Sequence, residues 1–291
     1  MKIGFIGVGN IGAPLAGQLI EAGHALVVHD IRCGAANALI ERGAEWSPSP
    51  AALAAQCEVV ATCLPGPTEM EAVCLGPGDL VAHLNPGALY IDHTTNSPEL
   101  VRRVHAMLDA PVSGGMEGAA TRDLLVMAGG DPAAFERART LLDAVAKRVI
   151  YTGGIGTGSI AKIMHNSASF TLDLVMAECW TVGVKAGIDA GTIVNVFNEA
   201  ALGQMMSLKV RLPATWLRGN FEPRFSLALA RKDLGLALEL ARATDTPMPL
   251  AALCEETMIE AIGRGWKDRD ASIFLTLQEE RAKVQVRLPP D

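Results

Sequence analysis

Residues 2–30, KIGFIGVGNIGAPLAGQLIEAGHALVVHD, constrain the fold more than any other stretch of the chain. An apolar run, KIGFIG (2–7), leads straight into Gly7-x-Gly9-x-x-Gly12. A helical segment, APLAGQLIEAG, follows and stops at Gly23, and a second apolar run, ALVVH (25–29), ends at Asp30. In a chain with 29 glycines the bare spacing carries little weight. Its position between a strand and a helix makes it specific: the first glycine permits a tight turn, the second lets backbone approach a pyrophosphate, and the third allows helix to pack closely on strand. Gly7, Gly9, Asn10, Ile11 and Gly12 are therefore expected to hold the phosphates of a dinucleotide at a helix N-terminus, where unpaired N–H groups and partial positive charge meet. Asp30 stands where a carboxylate binds the adenosine ribose hydroxyls, with Ile31 and Arg32 beside it. Asp30 favours NAD because it repels a 2′-phosphate, whereas Arg32 could hold that phosphate and leaves NADP open.

The same alternation continues to about residue 155. EVVATC (58–63), ALYID (88–92), LLVMAGG (124–130) and RVIYT (148–152) read as further short strands. GAANALIERG, SPAALAAQC, SPELVRRVHAML and DPAAFERARTLLDAV carry helical spacing between them. Strands alternating with helices predict a doubly wound parallel sheet of Rossmann type with helices on both faces. Leu64-Pro65 and Thr94-Thr95 then fall at carboxyl ends of strands, where such a sheet binds its ligand, although each pair alone also reads as an ordinary loop. One unit is anomalous. Eleven residues from Pro98 to Asp109 are short for a crossover helix and a strand, so the unit is truncated or the numbering omits residues.

After Gly156 the pattern changes to helices without strands, punctuated by Gly187, Pro213, Pro223, Pro247 and Pro249. The expected organisation is a dinucleotide-binding domain over 1–158 and an all-helical domain over 159–291, joined by one helix from Ser159 to about Ala186, roughly 40 Å long. On that helix Lys162, His165, Asn166, Ser169 and Asp173 form a polar stripe on a mostly apolar cylinder. Two readings stand side by side: Lys162 snorkels from a core helix while His165 and Asn166 are satisfied internally, or the stripe is a site.

Composition narrows the function classes. A formal net charge of −7 without a basic run argues against nucleic acid and anionic membrane as partners. Cysteines 33, 57, 63, 74, 179 and 254 make no C-x-x-C pair, so neither a zinc site nor a disulfide framework is expected, and no metal is called for. The opening MKIGFIG lacks the features of a signal peptide, and no apolar run reaches membrane-spanning length. These features fit a reducing cytoplasm.

Ser113-Gly114-Gly115, within DAPVSGGMEGA (109–119), offers a hydroxyl and unobstructed backbone N–H groups to a carboxylate, and reads equally as a glycine-rich turn. Four ordered segments, GFIGVGNIGAPLAGQLIEAGH, DAPVSGGMEGA, GTGSIAKIMHN and FSLALARKDLGLALELA, give the chain its resemblance to the β-hydroxyacid dehydrogenases, the group of 3-hydroxyisobutyrate dehydrogenase and tartronate semialdehyde reductase. The resemblance implies an NAD(P)-dependent oxidoreductase of a small carboxylate-bearing 3-hydroxyacid or its semialdehyde, with Lys162 as general acid and base. It further implies a carboxylate clamp at Ser113, Gly114 and Gly115, substrate orientation by Asn166, and cofactor contacts at Leu64, Pro65, Thr95 and Lys232. A homodimer or homotetramer formed through the helical domain is also implied.

Two positions depart from the pattern. Lys-Ile-Met-His-Asn places His165 where many members have asparagine, as in 6-phosphogluconate dehydrogenase, and Arg122 replaces a usual glycine. Either residue could tune substrate choice, Arg122 by reading a second anion. Residues around Gln204 to Lys209 are expected near the substrate side chain. The competing readings are an imine reductase, in which the lysine is typically replaced, a 6-phosphogluconate-dehydrogenase-like enzyme, and a non-catalytic dinucleotide-binding module.

Overall fold

The computed structural model describes residues 1–76, 79–104, 108–200, 205, 207–245 and 247–288, with the side chains of 178, 182 and 208 outside that description. The chain divides into two compact units, Met1–Lys162 and Ile163–Asp291. The division falls inside the long helix, a turn beyond the boundary at 158 expected from the sequence.

The first unit begins β1 (Lys2–Ile6), α1 (Gly12–Glu21), β2 (Ala25–His29), α2 (Asn37–Ile40), β3 (Glu45–Trp46), α3 (Pro50–Ala54), β4 (Val59–Thr62). It continues α4 (Pro67–Leu75), β5 (Leu89–Asp92), α5 (Pro98–Arg103), β6 (Leu108–Asp109), β7 (Val112–Ser113), α6 (Gly115–Thr121), β8 (Leu125–Gly130), α7 (Pro132–Val145), β9 (Arg148–Gly153). The strands form one sheet in the order β3-β2-β1-β4-β5-β6-β8-β7, with β9 also on β8. The strand order reverses beside β1, which puts the glycine turn at the switch point of a doubly wound sheet.

Alternation along the strands sorts side chains to two cores. Ile3, Phe5, Leu26, Val28, Val59, Ala61, Leu89 and Ile91 meet Leu15 and Leu19 of α1 and Leu141 and Leu142 of α7 on one face. Ile6, Val27, Val60 and Tyr90 meet Leu53, Met70 and Leu100 of α3, α4 and α5 on the other. Because both faces are covered, the central strands are continuously apolar. The helix starts follow their sequence signals: Ser49, Ser97 and Asp131 each accept a backbone N–H of the first turn, and a proline occupies that turn in α3, α5 and α7.

The sheet departs from all-parallel order at one place. β8 runs antiparallel to β6 and β7, while β9 runs parallel to β8. A parallel crossover takes a dozen residues or more, and the link from β7 to β8 holds only the seven-residue α6 and its flanks. In the short unit after Pro98, α5 spans six residues and β6 two, and residues 105–107 between them lie outside the described residues. GAANALIERG forms a 3₁₀ turn, Cys33–Ala36, and the four-residue α2 instead of a full helix.

The second unit is helical. α8 (Thr157–Lys185) begins in the first unit and runs 29 residues, two residues ahead of the expected start. α9 (Ala190–Glu199), a π-type turn (Ser207–Arg211), α10 (Leu212–Ala214), α11 (Leu227–Ala243), α12 (Pro249–Gly263) and α13 (Thr276–Ala282) follow. Trp180 of α8 stacks on Trp216 with ring centroids 5.7 Å apart, and both are fully buried. Leu227, Leu234 and Leu238 of α11 and Cys254 and Met258 of α12 pack in the same core. No helix among the described residues is long and apolar enough to cross a membrane.

Candidate active site

The glycine turn has the geometry its spacing predicts. Gly7 adopts φ +88°, and a Cβ there would lie 2.4 Å from the Cys63 carbonyl oxygen. A Cβ on Gly12 would lie 1.9 Å from the Gly7 carbonyl oxygen, so α1 can start this close to β1 only at a glycine. At Gly9 a Cβ would meet nothing within 4 Å. The first and third glycines thus serve the fold, and the second leaves open space over the backbone. No side chain caps the start of α1. That terminus, at the switch point, fits a pyrophosphate.

Asp30 is fixed rather than merely present. Its Oδ2 accepts the Val8 N–H at 3.0 Å and its Oδ1 accepts the Arg32 N–H at 2.9 Å. The side chain is 9% exposed, so the carboxylate ties the glycine turn to the end of β2 and keeps one edge toward solvent. The Arg32 guanidinium lies 3.9 Å away and is 75% exposed, and Ile31 is exposed. A carboxylate held this way suits ribose hydroxyls and fits NAD.

The loops after β4 and β5 are tied together. Thr94 Oγ1 accepts the Leu64 N–H at 2.9 Å, and Asp92 accepts the Thr94 N–H at 3.0 Å and the Thr62 hydroxyl at 2.8 Å. Asn96 donates to the other Asp92 oxygen at 2.8 Å. Asp92 is fully buried, and burial pushes its carboxyl above the usual range despite these donors. Leu64, Pro65 and Thr95 therefore sit on a braced rim, Leu64 and Thr95 half-buried and Pro65 exposed. The role of Asp92, Thr62 and Asn96 went unread in the sequence. The available signal was an aspartate ending an otherwise apolar strand.

Ser113 ends β7, half-buried. Gly114 (φ +141°) and Gly115 (φ +68°) then turn the chain into α6, and a Cβ on Gly114 would lie 2.9 Å from the Asp123 carbonyl oxygen. Arg122 caps the end of α6 in the left-handed region (φ 63°), which accounts for a glycine being the easier residue there. Its Nη2 donates to the Asp143 carbonyl at 2.8 Å.

On α8, Lys162 is half-buried and lies one turn beyond Ser159. In the second unit the stripe resolves into two pairs. Asn166, 8% exposed, donates from Nδ2 to Asp233 Oδ2 at 2.6 Å, and its Oδ1 lies 3.2 Å from Nδ1 of the exposed His165. Lys232 Nζ sits 2.6 Å from the other Asp233 oxygen, close enough for an ion pair but without hydrogen-bond alignment. The second pair is Asp173 with Arg211, both charged groups largely buried. Asp173 thus has a structural partner, and the upper end of the stripe is Lys162, His165 and Asn166. Residues 201–204 and 206 lie outside the described residues, and Lys209 is exposed on the π-type turn. Among the described residues no group of three His, Cys, Asp or Glu could hold a metal.

A doubly wound sheet with this turn defines a dinucleotide-binding protein. Comparison with known proteins carries the assignment further. The sequence model for the NAD binding domain of 6-phosphogluconate dehydrogenase matches residues 2–153, and that for the NAD-binding of NADP-dependent 3-hydroxyisobutyrate dehydrogenase matches 156–277. The NAD-dependent L-serine dehydrogenase of Pseudomonas aeruginosa is 33% identical over 95% of this chain and 97% of its own. The mitochondrial 3-hydroxyisobutyrate dehydrogenase of Mus musculus is 31% identical over 96% of this chain and 87% of its own. The solved structure of Mycobacterium tuberculosis 3-hydroxyisobutyrate dehydrogenase with L-serine superposes with a TM-score of 0.84 at 31% identity, covering 95% of this chain and 98% of that one. The chain belongs to the β-hydroxyacid dehydrogenase family, whose members are nicotinamide-dependent oxidoreductases acting on CH–OH groups. Its cofactor is a nicotinamide dinucleotide, NAD, with NADP compatible.

Proposed function

We propose that the protein oxidises a small 3-hydroxyacid, or reduces the matching semialdehyde, with Lys162 as general base and acid. The observation that carries this reading is the placement of Lys162, half-buried on the first turns of α8, with Asn166 one turn further along the same helix and fixed by Asp233. A nicotinamide dinucleotide held by the glycine turn and Asp30 would supply the acceptor for the hydride of the carbinol carbon, or its donor in the reverse direction. Lys162 Nζ takes the hydroxyl proton as the carbonyl forms, and gives it back in the reverse direction. To act as a base near neutral pH the amine must be uncharged. The Ser113 hydroxyl and the backbone N–H groups of Gly114 and Gly115 hold the substrate carboxylate. Asn166 orients the substrate, and Lys232 serves the cofactor side. His165 and Arg122 tune the choice among substrates, Arg122 through the donors that its bond to Asp143 leaves over.

We further read the protein as a cytoplasmic homodimer or homotetramer. Exposed Leu250 and Leu253 on α12 and Val175 on α8 support a helical contact face. The deciding experiment is a panel of 3-hydroxyisobutyrate, L-serine, glycerate and dicarboxylate analogues, each with NAD and with NADP. Turnover of at least one 3-hydroxyacid, faster with NAD, is expected. Binding of NADH without turnover of any member would favour the non-catalytic reading.

A further inference from the structure

Asp109 belongs to the DAPVSGG segment by sequence, yet its carboxylate serves the helix that carries Lys162. It ends β6, is fully buried, and lies four positions before Ser113. Oδ1 accepts the Gly156 N–H at 2.8 Å and Oδ2 accepts the Ser159 N–H at 2.6 Å. Both oxygens accept N–H donors, an arrangement that favours the carboxylate form over the acid. The surroundings leave no slack. A Cβ on Gly129 would lie 2.7 Å from Asp109 Oδ1, and one on Gly158 would lie 2.4 Å from the Asp109 carbonyl oxygen and 2.3 Å from that of Met127. Two glycines thus let the start of α8 sit directly on β6 and β8. The two N–H groups belong to the unpaired first turn of a helix, which a buried anion satisfies in charge and in hydrogen bonding. Burial raises the carboxyl above its ordinary range, and the Ser159 and Gly156 N–H bonds offset only part of that rise.

We infer that Asp109 is a positioning residue for the reaction, a strut that fixes where Lys162 stands relative to the Ser113 carboxylate clamp. The inference rests on the proposed roles of Lys162 and Ser113. The lever is short: Ser159, whose N–H is held, is one helical turn from Lys162, and Asp109 is one short strand from Ser113. All of these residues lie in the first unit. A displacement of about 1 Å between proton acceptor and substrate is enough to cost roughly 100-fold in rate. An asparagine in place of Asp109 can accept one N–H but must point its own NH₂ at the other, so the helix start has to shift. An alanine leaves both donors without a partner.

The test compares Asp109→Asn, Asp109→Ala and Lys162→Ala in the full chain, measuring NADH affinity by fluorescence, melting temperature, and kcat and KM for whichever 3-hydroxyacid is turned over. Asp109→Asn is expected to lower kcat about 10-fold or more while NADH affinity stays within about twofold, since the glycine turn and Asp30 are untouched. Asp109→Ala, if it folds, is expected to lose more. A kcat for folded Asp109→Asn within twofold of the natural protein, with Lys162→Ala inactive, overturns the positioning role and leaves the role of Lys162 standing. Parallel loss of NADH affinity and kcat would show a general structural role and overturns it as well. Full activity in Lys162→Ala overturns both readings.

Discussion

The two units hold their candidate site residues by different means. In the first unit the backbone does most of the placing: strand ends, a glycine turn and an uncapped helix N-terminus present N–H groups, and the side chains that matter most, Asp30, Asp92 and Asp109, act by holding backbone N–H groups. In the second unit the polar stripe of α8 is held side chain to side chain, Asn166 on Asp233 and Asp173 on Arg211, across helices distant in sequence. The difference teaches where each half is vulnerable. Backbone placement fails when a Cβ is added, and side-chain placement fails when one partner is removed.

The largest expected effects break each mode at its base. Removing Asp173 as Asp173→Ala strands the Arg211 guanidinium in the helical core and should cost about 3 kcal/mol or more, read as a loss of stability in urea unfolding. Replacing both partners at once, Asp173→Leu with Arg211→Met, should recover most of that loss, because the buried charges then disappear together. In the first unit, Gly12→Ala sets a Cβ 1.9 Å from the Gly7 carbonyl oxygen. An overpacking cost of about 1–3 kcal/mol follows, and NADH titration should show binding at least roughly tenfold weaker.

A smaller effect probes the sheet through pH. His93 is buried against Phe5 with Nδ1 2.7 Å from the Ala110 carbonyl oxygen, and burial lowers its pKa below the ordinary 6.5. The folded protein therefore holds a neutral imidazole. Its contribution to stability is present above the unfolded value and is lost as pH falls from about 6.5 toward the depressed folded value. The buried carboxyls of Asp92, Asp109 and Asp173 are raised, so they respond with the opposite sign, stabilising the fold as pH falls toward the ordinary carboxylate range. Comparing His93→Gln with the natural protein isolates the histidine: the gap between their melting temperatures should narrow on going from neutral pH to mildly acidic pH. The smallest effect is at Arg122. Arg122→Gly relieves a left-handed φ and loses one exposed hydrogen bond, so stability should change by no more than about 1 kcal/mol. An altered ranking of substrates in the same variant would mark the arginine as part of substrate choice.

The same contrast explains what the sequence makes legible. Gly7, Gly9, Gly12 and Asp30 are readable because each backbone requirement admits few residue types, and short apolar runs closed by Gly, Pro or Asp mark the strands. The antiparallel β8 is hidden because the run LLVMAGG is equally apolar in either direction, and only the length of its connection to β7 decides. The shortness of the unit after Pro98 is visible from residue counting alone. Partners such as Asp233 for Asn166 and Arg211 for Asp173 are hidden because their pairing depends on helix packing, for which spacing along one chain gives no measure. Asp109 is the middle case: its motif is plain in the sequence, but its partner N–H groups lie almost fifty residues downstream.

The most direct test of the account is the single-turnover rate of NAD reduction by the best 3-hydroxyacid substrate in Lys162→Ala, with NADH affinity measured alongside. A loss of roughly 100- to 10,000-fold with NADH affinity unchanged is predicted for removal of a general base. A rate within tenfold of the natural protein at the same NADH affinity would contradict it.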